Sequence, residues 1–364
     1  MRNARRGLLA VTAILVSVGI VMVYSTSAIT AQETHGDAAY FLKRHLLYLA
    51  LGLIALAWAL GVEQERIRRW SKPAMALALF LLMAVLVPGI GHRVSGASRW
   101  FRVGGFSFQP SELAQLAIIL YLADVLTRKR SLLKDFFLGV LPALVVLAAT
   151  VGLILIEPDL GTAVATAAVA LLLLFIAGVR WQIILSLVLA AIPTVGLLIL
   201  SKPYRMRRIM AYLNPWADAE GSGFQLIQSL VALGSGGIFG VGLGESRQKL
   251  FYLPAAHTDF VFSVIGEEMG FVGTTMILVL LGLLFWFGLR VAFSSPDTFG
   301  LFTGLGIVLL LALEAFVHIG VSTGAIPTKG LPLPFVSYGG TALIVNLLSI
   351  GVLLSVSRPA ARVA

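Results

Sequence analysis

The sequence predicts an all-α protein that crosses a membrane about ten times, and three observations predict it. The 364 residues are 59% hydrophobic and 12% charged, with a mean hydropathy of +0.96, where soluble domains carry about a quarter charged residues. Apolar stretches of spanning length recur along the whole chain. Basic residues cluster on alternate connections between those stretches.

In chain order the stretches lie at 8–29, 44–61, 73–90, 112–126, 137–156, 161–178, 182–200, 260–290, 300–322 and 338–357. The first follows Arg2, Arg5 and Arg6. It is longer than the apolar core of a signal peptide, so it reads as a retained helix. The fourth is short and draws on flanking residues or tilts little. An even number of spans puts both termini on one side. With the termini cytoplasmic, the inside segments carry Arg2, Arg5, Arg6, Arg66, Arg68, Arg69, Lys72, Arg128, Lys129, Arg130, Lys134, Arg180, Arg290, Arg358 and Arg362, which is 15 of the 27 Lys and Arg. They sit on roughly 50 residues of short loop and tail, and this density sets the orientation.

Two substantial loops then face outward, 91–111 and 201–259, the second between the seventh and eighth spans. A connection of such length tends to be functional. It holds two amphipathic stretches, 204–213 and 224–233, which read as short helices lying on the membrane. No internal repeat or low-complexity segment divides the chain, so residues 1–364 read as one domain.

Composition also excludes. Cysteine is absent, which removes disulfides and thiolate metal sites. His35, His45, His92, His257 and His318 are scattered without an HExxH pattern, so no metal ligand set is read. The formal charge of +10 has a membrane account in helix orientation and anionic headgroups. Nucleic acid is excluded as a partner, since no soluble module carries a basic face.

Several motifs carry chemistry. Residues 257–270 read HTDFVFSVIGEEMG. Thr258 and Asp259 suit a helix start, where capping is the plain role. Glu267 and Glu268 follow about 12 Å further along a continuous helix, Glu267 about 80° from Asp259 around the axis and Glu268 opposite. Carboxylates at such depth face a protein or water cavity, which makes the cluster a site candidate. Residues 323–341 contain three prolines and four glycines between two spans, a rigid re-entrant or surface loop whose sole charge is Lys329. That lysine is either solvated at the headgroups or a phosphate contact.

Arg99, Trp100 and Arg102 fit either an interfacial belt or a pyrophosphate clamp. Glu112 follows Pro110 in a helix-start pattern, and Asp159 suits a cap between two spans. The glycine-rich run 234–244 has no following Gly-Lys-Ser/Thr, so it reads as close backbone approach or flexibility rather than a nucleotide loop. Glu314 and His318, four apart, share a helix face and read as a mutually satisfied buried pair rather than a proton relay.

Taken together, the motifs resemble the SEDS family (shape, elongation, division and sporulation). The matching stretches are 22–25 (MVYS), 96–112, 158–162 (PDLGT), 204–208 (YRMRR), 214–218 (NPWAD), 223–225 (GFQ) with Gln228 and Ser229, 234–237 (GSGG), 246–249 (SRQK), 257–260 (HTDF) and 327–340. The 246–249 and 328–331 segments look more like the division branch than the elongation branch. Ala255 stands where the family usually has Glu, Gln115 where it usually has Lys, and Glu314 and His318 where it often has amides.

The resemblance implies a peptidoglycan glycosyltransferase acting on lipid II, a disaccharide-pentapeptide on undecaprenyl pyrophosphate. It implies work at the outer face of the bacterial cytoplasmic membrane, at the division septum, beside a class B penicillin-binding protein transpeptidase and other division proteins. Asp259 inherits the position of the family's catalytic acidic residue. Arg99, Lys329, Arg205, Arg208, His257 and Gln225 are implied on the substrate, and Glu112, Asp159, Glu267 and Ser337 in the cavity structure. No cofactor is fixed, and a divalent cation (Mg or Mn) is compatible with a diphosphate substrate. Passing from an α-linked diphosphate donor to a β-linked polymer inverts the anomeric carbon, which calls for one base rather than a nucleophile pair. A lipid II flippase and a non-catalytic division scaffold are the alternative readings.

Overall fold

A computed structural model of the protein describes residues 2–94, 97–250 and 252–358. Gly96 and Arg362 of the sequence reading lie outside them. Each of the ten apolar stretches is helical: α1 (Arg2–His35), α2 (Tyr40–Gly61), α3 (Gln64–Leu86), α4 (Pro110–Arg128), α5 (Leu141–Ile156), α6 (Leu160–Ile176), α7 (Trp181–Leu200), α10 (Val261–Phe293), α11 (Thr298–Ser322) and α12 (Gly340–Val356). A π-helical turn, Phe136–Val140, extends α5 to spanning length. Eight of the helices are long and apolar enough to cross a membrane by themselves. α6 and α12 have 17 residues each, or about 25 Å at 1.5 Å per residue, and reach across with their flanking turns. The protein is a multi-pass helical membrane protein.

The start of α1 and the end of α12 lie on one face, as an even count of spans requires. Arg5 near the start of α1 donates to the carbonyl of Leu354 near the end of α12 at 2.7 Å. On that face Asp124 accepts from Arg68 Nε and Arg128 Nε, both at 3.1 Å, and from a second Arg128 nitrogen at 2.6 Å. The shared carboxylate ties α3 to α4 where it is nearly buried.

Two loop features depart from the sequence expectation. The 91–111 loop contains a small antiparallel sheet, β1 (His92–Val94), β2 (Ala97–Val103) and β3 (Phe106–Phe108), in that order. Gly104 and Gly105, with φ of 55° and 82°, turn the β2–β3 hairpin, since both central residues of such a tight turn need positive φ. In the 201–259 loop the two amphipathic stretches are α8 (Pro203–Leu213) and α9 (Phe224–Ser235). α8 is largely exposed. α9 does not lie on the membrane: it packs into the bundle with Leu226, Ile227, Ser229 and Ala232 buried. The Ser229 hydroxyl donates to Ser322 O at 2.7 Å and lies 2.6 Å from Ser263 Oγ, so polar contacts to α10 and α11 draw the helix inward.

α7 has no buried residue. It stands apart from the bundle and leaves space behind it. Elsewhere small residues permit close helix contact, which membranes favour because lipid offers no hydrophobic drive between helices. At Gly351 on α12 an added Cβ would lie 2.7 Å from the Leu56 carbonyl of α2. Gly351→Leu is therefore expected to cost about 1–3 kcal/mol through overpacking, read as a lower thermal midpoint in detergent. Gly152→Ala, with nothing within 4 Å, is expected to leave the midpoint unchanged.

Candidate active site

A cavity of about 780 Å³ opens between α7 and the bundle on the face that carries the long loops. β2 contributes Arg99 and Trp100, the start of α4 Glu112, the α5–α6 turn Asp159, and α7 Val195 and Ile199. α8 adds Tyr204, Arg205 and Arg208; the loop before α10 adds Thr258 and Asp259; the loop before α12 adds residues 326–330 and Tyr338. Seven of the eleven site residues implied by the family resemblance thus meet here: Asp259, Arg99, Lys329, Arg205, Arg208, Glu112 and Asp159.

Asp259 is set by a turn rather than by a helix. Its N–H and that of Thr258 both donate to Ala255 O, at 3.0 and 3.1 Å, and α10 begins only at Val261 with Phe260 as its cap residue. The capping role for Asp259 is therefore corrected: its carboxylate is left free to face the cavity. Surrounding protein raises its pKa above the ordinary carboxylate value, opposed by a hydrogen bond from Thr258 and the positive charge of Arg208.

Lys329 reaches the cavity across the start of α6. An added Cβ at Gly161 would come within 2.7 Å of Lys329 Cε, so the missing side chain makes room for the lysine. Burial lowers the Lys329 ammonium to about 8, with Asp159 raising it and Arg208 lowering it. Its loop folds back on itself. Ser337 Oγ accepts from Leu333 N at 2.9 Å, and Tyr338 N donates to His257 O at 2.9 Å. Gly330 lies so close to Asp259 that an added Cβ would be 2.8 Å from Oδ2.

The arginines divide their work. Arg99 donates to Glu157 O at 2.9 Å and to Pro158 O, and lies 4.0 Å from Asp159 Oδ2. It braces the α5–α6 turn as well as facing the cavity. Arg205 donates to Leu198 O at 2.7 Å and to Tyr204 Oη at 3.0 Å, which holds the α7–α8 corner. Arg208 is exposed to the cavity, with one long contact of 3.5 Å to Thr328 O. Asp159 caps α6 through Thr162 N at 3.2 Å and accepts from Gln109 Nε2 at 3.3 Å.

Four named residues do not line the cavity. His257 packs its ring against Phe41 and Tyr338, with centroids 5.0 and 5.7 Å away, and burial holds its imidazole down at about 4. Gln225 rides on α9, away on the α10–α11 side. Ser337 acts within its own loop. Glu267 turns to the 246–248 segment, accepting from Arg247 N at 2.9 Å and Gln248 N at 3.3 Å. Asp259 and Glu267 are therefore not one cluster, because the helix does not include residue 259 and the long loop folds back to meet Glu267. The expected Glu314–His318 pair is also absent. His318 Nδ1 bonds to Leu331 O at 2.8 Å, leaving Nε2 and one Glu314 oxygen without partners. The ring is drawn to a loop carbonyl instead of the carboxylate.

Sequence reasoning passed over Gln109 and Tyr338, although each sits within a quoted motif, and gave Thr258 only a capping role. Their roles depend on contacts across the chain that no local pattern announces. Among the described residues no group of three or more metal-ligating side chains occurs. The cavity as built offers a shielded carboxylate in one space with two cations that have few other partners, walled on one side by an apolar helix with no buried residue.

The sequence profile of a family described as cell cycle protein, named for FtsW, RodA and SpoVE, matches residues 5–362. A protein of Geobacter sp. (strain M18) named probable peptidoglycan glycosyltransferase FtsW is 49% identical over 344 residues, covering 94% of each chain. Stage V sporulation protein E of Bacillus subtilis (strain 168) is 45% identical over 351 residues, covering 96% of each. Among solved structures, a chain from a peptidoglycan synthase complex that coordinates polymerization and crosslinking aligns with a TM-score of 0.78 at 34% identity over 96% of each chain. The rod shape determining protein RodA of Thermus thermophilus aligns with a TM-score of 0.72 at 30% identity, over 96% of this chain and 95% of that one. Sequence and fold agree along nearly the whole length, and the chain belongs to the FtsW/RodA/SpoVE family of cell cycle proteins, the SEDS family.

Proposed function

We propose that this protein is a peptidoglycan glycosyltransferase that polymerises lipid II into glycan strands during cell division. It works at the outer face of the bacterial cytoplasmic membrane, with both termini cytoplasmic. The observation that carries the reading is the meeting of Asp259, Lys329 and Arg208 in one cavity beside a lipid-facing helix.

The chemistry follows from those groups. The acceptor 4-hydroxyl attacks the anomeric carbon of the donor while Asp259 takes its proton. The bond from that carbon to the diphosphate breaks, and the electron pair leaves on the undecaprenyl diphosphate. Lys329 and Arg208 neutralise the charge that develops there, which replaces a general acid. Arg99 and Arg205 contribute field from fixed positions while bracing the walls. The gap beside α7 admits a polyprenyl chain sideways from the bilayer, so the diphosphate alone has to enter the polar space. Glu112 and Asp159 shape the inner wall.

A class B penicillin-binding protein is the fitting partner, since the aligned synthase complex couples polymerization to crosslinking. The cell cycle family and the FtsW names of the relatives support a place at the division septum.

Polymerisation of purified lipid II in detergent, with and without the transpeptidase, tests the reading. Asp259→Asn is expected to lower the rate by at least about 100-fold, with insertion and partner binding kept. Full activity in that variant removes Asp259 from the role, and an inactive wild type with its partner removes the enzyme reading.

The pH dependence has a definite sign. The free-enzyme rate, kcat/KM, rises as Asp259 loses its proton, at a pH above the usual carboxylate range. It falls again as Lys329 loses its proton near pH 8. Lys329→Arg, whose charge persists, is expected to keep substantial activity and to move the alkaline fall upward. An unmoved alkaline limb assigns that fall to another group.

A further inference from the structure

Three motifs of the sequence have no part in the cavity: Ser25, the 246–249 segment, and the acids Glu267 and Glu268. The fold brings them together. Glu268 accepts from Ser25 Oγ on α1, with 2.6 and 2.8 Å to its two oxygens, and pairs with Lys249 Nζ at 2.8 Å. Lys249 also donates to Gly244 O at 2.6 Å and Ser25 Oγ at 3.1 Å. Its ammonium thus finds three acceptors for three protons. The pair is sealed, with side-chain exposures of 5% for Lys249 and 0% for Glu268.

Two residues after Glu268, α10 is interrupted. Gly270 has φ 66° and ψ −160°, a conformation reserved for glycine. Phe271 N and Val272 N leave the helix pattern and donate to Gly237 O at 2.9 Å and Ile238 O at 3.1 Å. In return Val241 N and Gly242 N donate to Glu267 O at 2.9 Å and Glu268 O at 3.1 Å. Residues 237–242 are stitched into the break and satisfy backbone groups that lipid would leave bare. α10 is therefore two helices in mechanical terms. The first, 261–269, runs from the turn that holds Asp259 to the buried ion pair.

We propose that Lys249 and Glu268 are positioning residues for sugar transfer: their ion pair, with Ser25 as third partner, fixes the depth and rotation of the 261–269 half-helix against α1 and so fixes where Asp259 meets the acceptor hydroxyl. The proposal rests on the glycosyltransferase reading. A helix is stiff over this length, so a shift at the clamped end appears at the other. A misplacement near 1 Å costs about 100-fold in rate when reacting groups are aligned. The groups that act on Asp259, Arg208 on α8 and Thr258 in its own turn, lie outside the clamp, as does Lys329, which lines the same cavity. Loosening the clamp therefore moves the base and leaves diphosphate binding intact.

The test uses full-length protein and lipid II, comparing wild type, Asp259→Asn, Glu268→Gln, Lys249→Met, the double variant and Lys249→Arg. Glu268→Gln and Lys249→Met are each expected to lower kcat about tenfold or more with KM nearly unchanged. The acid limb of the kcat profile shifts to lower pH as the carboxylate leaves its sheltered place. The double variant is expected to be no worse than the weaker single, and Lys249→Arg to restore most of the rate. A pH profile scaled down with its acid limb unmoved reports lost active molecules only, and overturns the proposal, as does an unchanged kcat. Should Glu268→Gln or Lys249→Met fail to fold, Ser25→Ala removes one hydrogen bond and keeps the charges. It is expected to shift the limb less but in the same direction, and no shift overturns the proposal. An inactive wild type defeats the enzyme reading itself. Active wild type, inactive Asp259→Asn and normal Glu268→Gln defeat the positioning role alone.

Discussion

The hydrogen bond from Tyr338 N–H to the His257 carbonyl, at 2.9 Å, joins the two irregular segments on which the cavity depends. One segment carries Asp259 and the other Lys329. Neither is a helix, and a bilayer penalises backbone that lacks partners by several kcal/mol per group. The two loops meet that demand by bonding to themselves and to each other. Gly330 lets the second loop press against the Asp259 carboxylate without a side chain between them. The prolines of that loop limit its freedom before any substrate arrives. A carboxylate and an ammonium group from distant parts of the chain are thus placed by backbone geometry rather than by attraction between them.

The remaining cations are divided by the same economy. A guanidinium has five donors, and Arg99 and Arg205 spend theirs on carbonyls at the ends of neighbouring helices. They hold the walls and add a fixed positive potential. Arg208 and Lys329 keep most of their donors for whatever enters. Cations and carboxylates therefore line one space, Arg99 and Lys329 near Asp159 and Arg208 near Asp259, a setting that suits a diphosphate leaving group and a hydroxyl nucleophile at the same time. α7, unburied along its length, leaves the apolar side of that space open to a long lipid tail.

Much of this was legible in the sequence because membrane helices are written locally. A run of apolar residues bounded by charge specifies a span without reference to the rest of the chain, and all ten runs became helices. The glycines and prolines of 323–341 likewise announced a rigid loop. What local pattern could not carry was pairing at a distance. Glu267 and Glu268 looked like companions of Asp259 because a continuous helix was assumed. In the fold the helix starts after residue 259, and the 236–250 segment returns to claim both acids. α9 had the amphipathic pattern of a surface helix, yet three serines decide its place in the bundle. Glu314 and His318 shared a face as predicted, but spacing on one helix cannot reveal that Leu331 O competes for the imidazole.

The most direct measurement is a structure of the protein bound to a non-hydrolysable lipid-linked diphosphate sugar, solved in a lipid nanodisc. The account predicts the diphosphate against Lys329 and Arg208, the lipid tail leaving beside α7, and an acceptor sugar hydroxyl within hydrogen-bonding reach of Asp259. A ligand seated elsewhere, or one whose sugars lie beyond reach of that carboxylate, would contradict it.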